Sequence, residues 1–183
     1  MDIAEIDVVQ PHGTSVVVSK SETKIQFSKD APVQDNYFVA CKPSLNSSGE
    51  GSFWKVTIDT MPDHICLFLG IIGNLNASSE SFGDSTAYGW DTYSIWKNGI
   101  CGNSHMIDFS QGECVHFHLK SNKLTMFCVK QNQKEVIDMV IISDAYYIHF
   151  SFYGVGTKIS LEPLDEVEQK RMLEIETIDT LNI

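Results

Sequence analysis

His116 and His118 stand two apart in the run Cys114-Val115-His116-Phe117-His118-Leu119. In an extended chain that spacing points both imidazoles to one face, and two histidines so placed can chelate a transition metal. His149, on an alternating run of its own, is the candidate third ligand. A carboxylate a few residues on would help complete such a site, but Leu119 to Lys123 holds none and the nearest downstream acid is Glu135. Histidines on a polar strand face are more often solvated or hydrogen-bonded. Nucleophilic chemistry finds less support. There is no G-x-S-x-G elbow, and Cys114 with His116 lacks a third orienting group. Gly70-Ile71-Ile72-Gly73 has neither the Lys-Ser/Thr nor the following helix of a phosphate loop. The residues therefore predict no catalytic centre, no bound metal and no cofactor.

The aromatic residues are more informative. Tyr88-Gly89-Trp90-Asp91-Thr92-Tyr93-Ser94-Ile95-Trp96 places four rings in nine residues. Trp90 and Trp96 are expected in core or corner packing, because large aromatics bury. Tyr88 and Tyr93 are the expected exposed members, and exposed tyrosines anchor protein partners. Upstream, Gly73 to Ser85 reads as a long polar loop that includes Asn74, Asn76, Ser78 and Ser79. Loops held by a rigid scaffold are where recognition usually sits.

The elements that must position these groups are short strands. Lys24–Phe27, Tyr37–Cys41, Trp54–Asp59, Cys114–Leu119, Leu124–Val129 and Tyr147–Phe152 read as strands, with Ile159 and Leu161 closing the series. Ile65–Ile72 is apolar on both faces and predicts a central strand. Ser121-Asn122 predicts a hairpin turn, and Asn98-Gly99 a type I′ turn, whose two central residues need positive φ. Many short strands punctuated in this way predict an all-β sandwich. The end of the chain differs. Leu164, Val167, Ile175 and Ile178 recur near helical spacing, with Asp165, Glu166 and Glu168 in the first turn. That helix packs on the sandwich, links to a partner, or is simply solvated. The expected division is an N-terminal segment 1–22, a sandwich 23–161 and an acidic helix or tail 162–183.

The net charge of −11 and scattered Lys and Arg exclude a nucleic-acid or anionic-membrane surface. The longest apolar run is far short of the ~20 residues that span a bilayer. Met1 to Val9 carries Asp2, Glu5 and Asp7, unlike a secretory signal, so a cytoplasmic location is expected. The five cysteines are spaced without a CxxC pair and read as reduced thiols. The triplets at Asn46 and Asn76 read as chance matches to a glycosylation signal.

At this point the chain resembles the SPRY family. Ser52-Phe53-Trp54-Lys55-Val56-Thr57-Ile58 looks like its early Trp-bearing strand. Leu69-Gly70-Ile71-Ile72, then Tyr88-Gly89-Trp90-Asp91, then Lys97-Asn98-Gly99 look like its central Gly and Gly-Trp-Asp segments. Gly112 to Leu119 followed by Lys123-Leu124-Thr125-Met126-Phe127 looks like its later hairpin, without the Asp usual there. The resemblance spans about Thr23 to Leu161. It implies a bent antiparallel β-sandwich of the concanavalin-like jelly-roll type with a short C-terminal helix. It also implies a non-enzymatic module that binds a protein or peptide through loops at one end, as a ubiquitin-ligase substrate receptor or innate-immune adaptor. By position the binding loops would be Asn74–Ser85, the segment before Trp54, and Tyr153-Gly154-Val155-Gly156, so Tyr153 and Gly154 join the candidates. Two alternatives stand beside this. One is a lectin-like sandwich stacking Trp90 or Tyr93 on a sugar. The other is a cupin-like metal protein using His116, His118 and His149.

Overall fold

The computed structural model describes residues 1–10, 16–30, 37–62, 66–105 and 107–178. Within them the alternating runs become strands: β1 (Asp7–Val9), β2 (Val16–Lys20), β3 (Ile25–Lys29), β4 (Tyr37–Lys42), β5 (Ser52–Thr60), β6 (Leu67–Ile72) and β7 (Tyr88–Trp90). The later ones are β8 (Ser94–Lys97), β9 (Ile100–Ser104), β10 (Cys114–Lys120), β11 (Lys123–Cys128), β12 (Gln133–Asp138), β13 (Tyr147–Phe152) and β14 (Lys158–Glu162). One helix, α1 (Glu166–Ile178), follows. Among the described residues no helix is long and apolar enough to cross a membrane.

The strands form two seven-stranded sheets, in order β1-β4-β13-β6-β7-β8-β9 and β12-β11-β10-β5-β14-β3-β2. Neighbours pair antiparallel, which yields the all-β sandwich expected from the alternation. Side chains at every second position meet between the sheets. Trp54, Val56 and Ile58 of β5 and Val115, Phe117 and Leu119 of β10 bury against Leu67, Leu69 and Ile71 of β6. Trp54 stacks on Phe117 with ring centroids 5.2 Å apart, and Trp90 leans on the same ring at 6.2 Å. Further along, Phe27 and Phe150 meet edge-on at 5.3 Å.

Two turns behave as their residues require. Asn98 and Gly99 both take positive φ between β8 and β9, and Ser121 does so between β10 and β11. The N-terminus departs from expectation. Strands begin well before Thr23: β1 pairs with β4, β2 pairs with β3, and Ile3, Ile6 and Val16 enter the core. The expected boundary at 22/23 therefore falls inside the β2–β3 turn. Ile65, expected at the start of the central strand, lies outside the described residues.

Helix α1 lies on the outer face of the second sheet. Asp165 and Glu168 cap its start reciprocally: the Glu168 amide donates to Asp165 Oδ1 at 2.8 Å and the Asp165 amide to Glu168 Oε2 at 2.9 Å. Leu164 and Met172 bury against Phe127, with Ile175 beside them. Val167, expected on the packed stripe, is 78% exposed. The helix starts after Leu164, so Leu164 and Val167 do not share a helical face.

Gly70 and Gly89 lie opposite each other in β6 and β7. A Cβ on Gly89 would strike the Leu69 carbonyl oxygen and come within 2.7 Å of Phe68 Cζ. Gly89→Ala is expected to lower stability by about 2 kcal/mol or more, read as a reduced urea midpoint at unchanged slope. Gly83→Ala, where nothing lies within 4 Å of the added carbon, should change stability by less than about 0.5 kcal/mol.

Candidate interaction surface

The strand registers define two ends of the sandwich. One carries Tyr37, Leu67 and Phe152; the other carries Lys42, Ile72, Tyr88 and Tyr147. The segments 31–36 and 63–65 lie outside the described residues.

At the first end, Asp91 builds a turn. Its Oδ1 accepts from the amides of Tyr93 (2.7 Å) and Ser94 (2.6 Å), and its Oδ2 accepts from Trp96 Nε1 at 2.6 Å. This spends the carboxylate and pushes Tyr93 out to 57% exposure. Thr92 Oγ1 accepts from the Leu67 amide at 3.1 Å, and the Cys66 carbonyl accepts from the Tyr153 amide at 3.1 Å. The Tyr93 and Tyr153 turns are thus tied to the same strand terminus. Tyr153 is 41% exposed and Val155 38%, while Gly154 between them is buried and takes positive φ. Two tyrosines and a valine therefore share one end on rigid supports.

The other candidates lie elsewhere. Asn74, Asn76, Ser78 and Ser79 leave the opposite end of β6, as does the segment before Trp54, so the expected binding loops are divided between two ends. Tyr88 is 1% exposed, contrary to the expectation for it. It shares strand parity with the core residue Trp90, so both rings face inward, and its hydroxyl bonds with the Asn98 side chain and the Val140 backbone. Asn74 is occupied: Oδ1 accepts from the Asn76 amide at 3.0 Å and Nδ2 donates to Asp84 at 2.8 Å. Asn76 and Ser78 remain exposed.

The 73–87 segment does more than connect strands. It folds back over the outer face of the first sheet, where Ala77 and Ala87 bury against Phe38, Ala40 and Ile72. Phe82 packs edge-on to Trp96 at 4.9 Å and near Phe68 at 6.4 Å. Beneath it, Ser81 Oγ meets His149 Nε2 at 2.7 Å, with both residues fully buried. Desolvation pushes His149 down to about 3, against a smaller opposing pull from the Asp84 charge. Burial pushes the Asp84 carboxyl up, but hydrogen bonds from Thr86 and Asn74 outweigh that and hold it below its ordinary value. Ser81 and His149 have the residue types of a nucleophile and base, yet the fold-back denies them any substrate access.

The three histidines do not meet. His149 is on the outer face of the first sheet, while His116 and His118 are on the outer face of the second, with the whole core between them. The alternative of a metal site built from His116, His118 and His149 is thereby removed, and among the described residues no cluster of three His, Cys, Asp or Glu could hold a metal. His118 instead binds the helix. Its Nδ1 lies 2.9 and 3.0 Å from the Glu176 carboxylate oxygens and its Nε2 lies 2.7 Å from the Glu50 carbonyl. The ring stacks on Phe53 at 3.9 Å. His116 lies 3.7 Å from Glu168, and burial lowers its proton affinity more than that neighbour raises it. Lys55 donates to both Glu168 oxygens, at 2.8 and 2.9 Å. Trp90, one of the two candidates for sugar stacking, is fully buried. All five cysteines are free thiols.

No protein-family model matches the sequence, and no curated protein matches it. Solved structures do match the fold. The SPRY domain of human HERC1 superposes with a TM-score of 0.65 at 12% identity, covering 90% of this chain and 98% of that one. The TRIM65 PSpry domain gives 0.56 at 14%, covering 87% and 93%. The NEUZ (NHR) domain in Neuralized from Drosophila melanogaster gives 0.54 at 9%, covering 86% and 91%. The fold is that of SPRY domains.

His149 is neutral in the fold and gains a proton in the unfolded chain below about pH 6.5. Stability should fall as pH drops through that value, by at most about 1.4 kcal/mol per pH unit from this group. His149→Gln, which keeps a partner for Ser81, should show a smaller difference between urea midpoints at neutral and mildly acidic pH. Equal pH dependence in both proteins would contradict a neutral buried imidazole.

Proposed function

We propose that the chain is a non-enzymatic protein-interaction module whose partner docks on the end carrying Tyr93 and Tyr153. The observation that carries this reading is the pairing of these tyrosines, 57% and 41% exposed, on turns braced to one strand terminus. A tyrosine offers a large apolar face and a hydroxyl at low entropic cost, and held rigidly it can serve as a binding anchor. The SPRY fold supports the reading at the level of architecture. Asn74, Tyr88 and Gly154 then act by fixing loop shape, while Asn76, Ser78 and Ser79 lie at the other end. A ubiquitin-ligase substrate receptor or an innate-immune adaptor, working in the cytoplasm, is the setting that the family resemblance adds. The lectin-like alternative keeps only Tyr93 as a stacking platform, since Trp90 is enclosed.

The test is site-directed photo-crosslinking in cells, with the crosslinking residue at position 93 or at position 76. Position 93 should capture a discrete protein partner and position 76 should not. Tyr93→Ala and Tyr153→Ala should each weaken binding of that partner by about tenfold or more. Capture from position 76 alone, or full affinity in both alanine variants, would assign the partner to a different surface.

A further inference from the structure

A groove of about 710 Å³ runs between the C-terminal half of α1 and the outer face of β11 and β12. It is separate from the tyrosine-bearing end and opens beside the β10–β11 turn. Leu173 forms its helix wall and Thr125 and Val136 its sheet wall. Val136 is 37% exposed there. The volume falls within the range of sites that enclose a small ligand or a few side chains.

Its charge runs against the rest of the molecule. The chain carries −11 overall, with only 13 Lys and Arg, yet Lys120, Lys123 and Lys134 all line this groove. They come from three adjacent strands, with Lys120 and Lys123 directly opposite each other across the turn. The lining also holds two carboxylates. Asp138 lies directly opposite Lys123 in the strand ladder. His118 Nδ1 meets Glu176 at 2.9 Å, and against the upward push of burial Lys120 helps that hydrogen bond to hold the Glu176 carboxyl below its ordinary value. Three ammonium groups against two carboxylates leave the lining net positive. Lys134 Nζ donates to the Ile175 carbonyl at 2.9 Å, offsetting the negative end of the helix dipole. Apolar walls under a cationic rim complement one kind of ligand.

We propose that this groove is a second docking site, taking a short acidic protein segment that inserts an aliphatic side chain between Leu173 and Val136 while its carboxylates meet Lys120, Lys123 and Lys134. The aliphatic anchor supplies contact and the carboxylates supply orientation and rate of encounter.

The experiment is an NMR titration of the uniformly ¹⁵N-labelled full chain with the capped peptide Asp-Asp-Leu-Ile-Asp-Asp. Capped Asp-Asp-Ser-Ser-Asp-Asp and Lys-Lys-Leu-Ile-Lys-Lys peptides serve as controls. Amide shifts should concentrate at Lys123, Val136, Leu173 and Thr177, weaken with rising salt, and be smaller for either control. The exposed double variant Lys120→Gln, Lys123→Gln, which removes the charge without adding carboxylates beside Asp138 and Glu176, should keep its urea midpoint and lose about tenfold in affinity. Tyr93→Ala should leave this titration unchanged, which separates it from the partner surface proposed above. Several results would overturn the assignment: equal binding of the Lys-bearing peptide, shifts confined to other residues, or binding to phosphatidylserine vesicles without binding to the acidic peptide. Loss of the same amide signals' environment on deleting residues 179–183, with no peptide response, would instead give the groove to the chain's own end.

Discussion

Phe117 sits between Trp54 and Trp90, and this three-ring contact fixes one sheet against the other. Everything outward of it depends on that alignment. Trp54 and Phe117 belong to paired strands of one sheet and Trp90 to the other. Their parity therefore decides which side chains of β5, β7 and β10 turn inward. Once Trp90 is inward, Tyr88 must be inward and Gly89 outward. Once Phe117 is inward, His116 and His118 must be outward. The same constraint that makes the core removes Tyr88 from the surface and divides the three histidines.

A sandwich then faces a second problem, because its outer faces are not polar enough to be left bare. Phe38, Phe68 and Ile72 on one side and Phe53 and Phe127 on the other need cover. The chain solves this differently on each side. The first sheet is covered by the irregular 73–87 segment, pinned by short polar bonds through Asp84, Thr86 and Ser81. The second is covered by α1, whose contacts combine Leu164 and Met172 with an ion pair from Glu168 to Lys55 and a hydrogen bond between Glu176 and His118. The paired glycines, Gly70 and Gly89, leave room on that face for the Phe68 ring, since a Cβ on either would meet that ring and the backbone of the facing strand.

Much of this architecture was legible in the residues. Alternation located β5, β10 and β13, and Asn98-Gly99 located a turn by its backbone requirement alone. The short N-terminal strands escaped because a three-residue strand such as Asp7–Val9 has too few positions to show a period. The role of 73–87 escaped for another reason: Asn, Ser and Gly mark irregular backbone, whether it floats in solvent or lies on a sheet. Only Ala77, Phe82 and Ala87 distinguished the two, and small apolar residues in a loop carry little signal. Tyr88 was readable, since it stands two positions from Trp90 in a strand. The face of α1 was harder. Its packed positions, Glu168, Met172, Ile175 and Glu176, mix acids with apolar residues, so the stripe does not stand out by hydrophobicity.

The six residues of β6 set the distance between the two ends of the molecule at roughly 20 Å. That separation has a consequence for assembly. Short segments of a few residues seated at opposite ends would not overlap, so occupancy of one leaves the other sterically open to a segment of that size. A single polypeptide carrying both recognition elements on a linker long enough to pass along the sandwich would bind the second end intramolecularly, at an effective concentration on the order of millimolar. Two individually weak contacts would then add into a long-lived complex, and cutting the linker would release it without altering either surface.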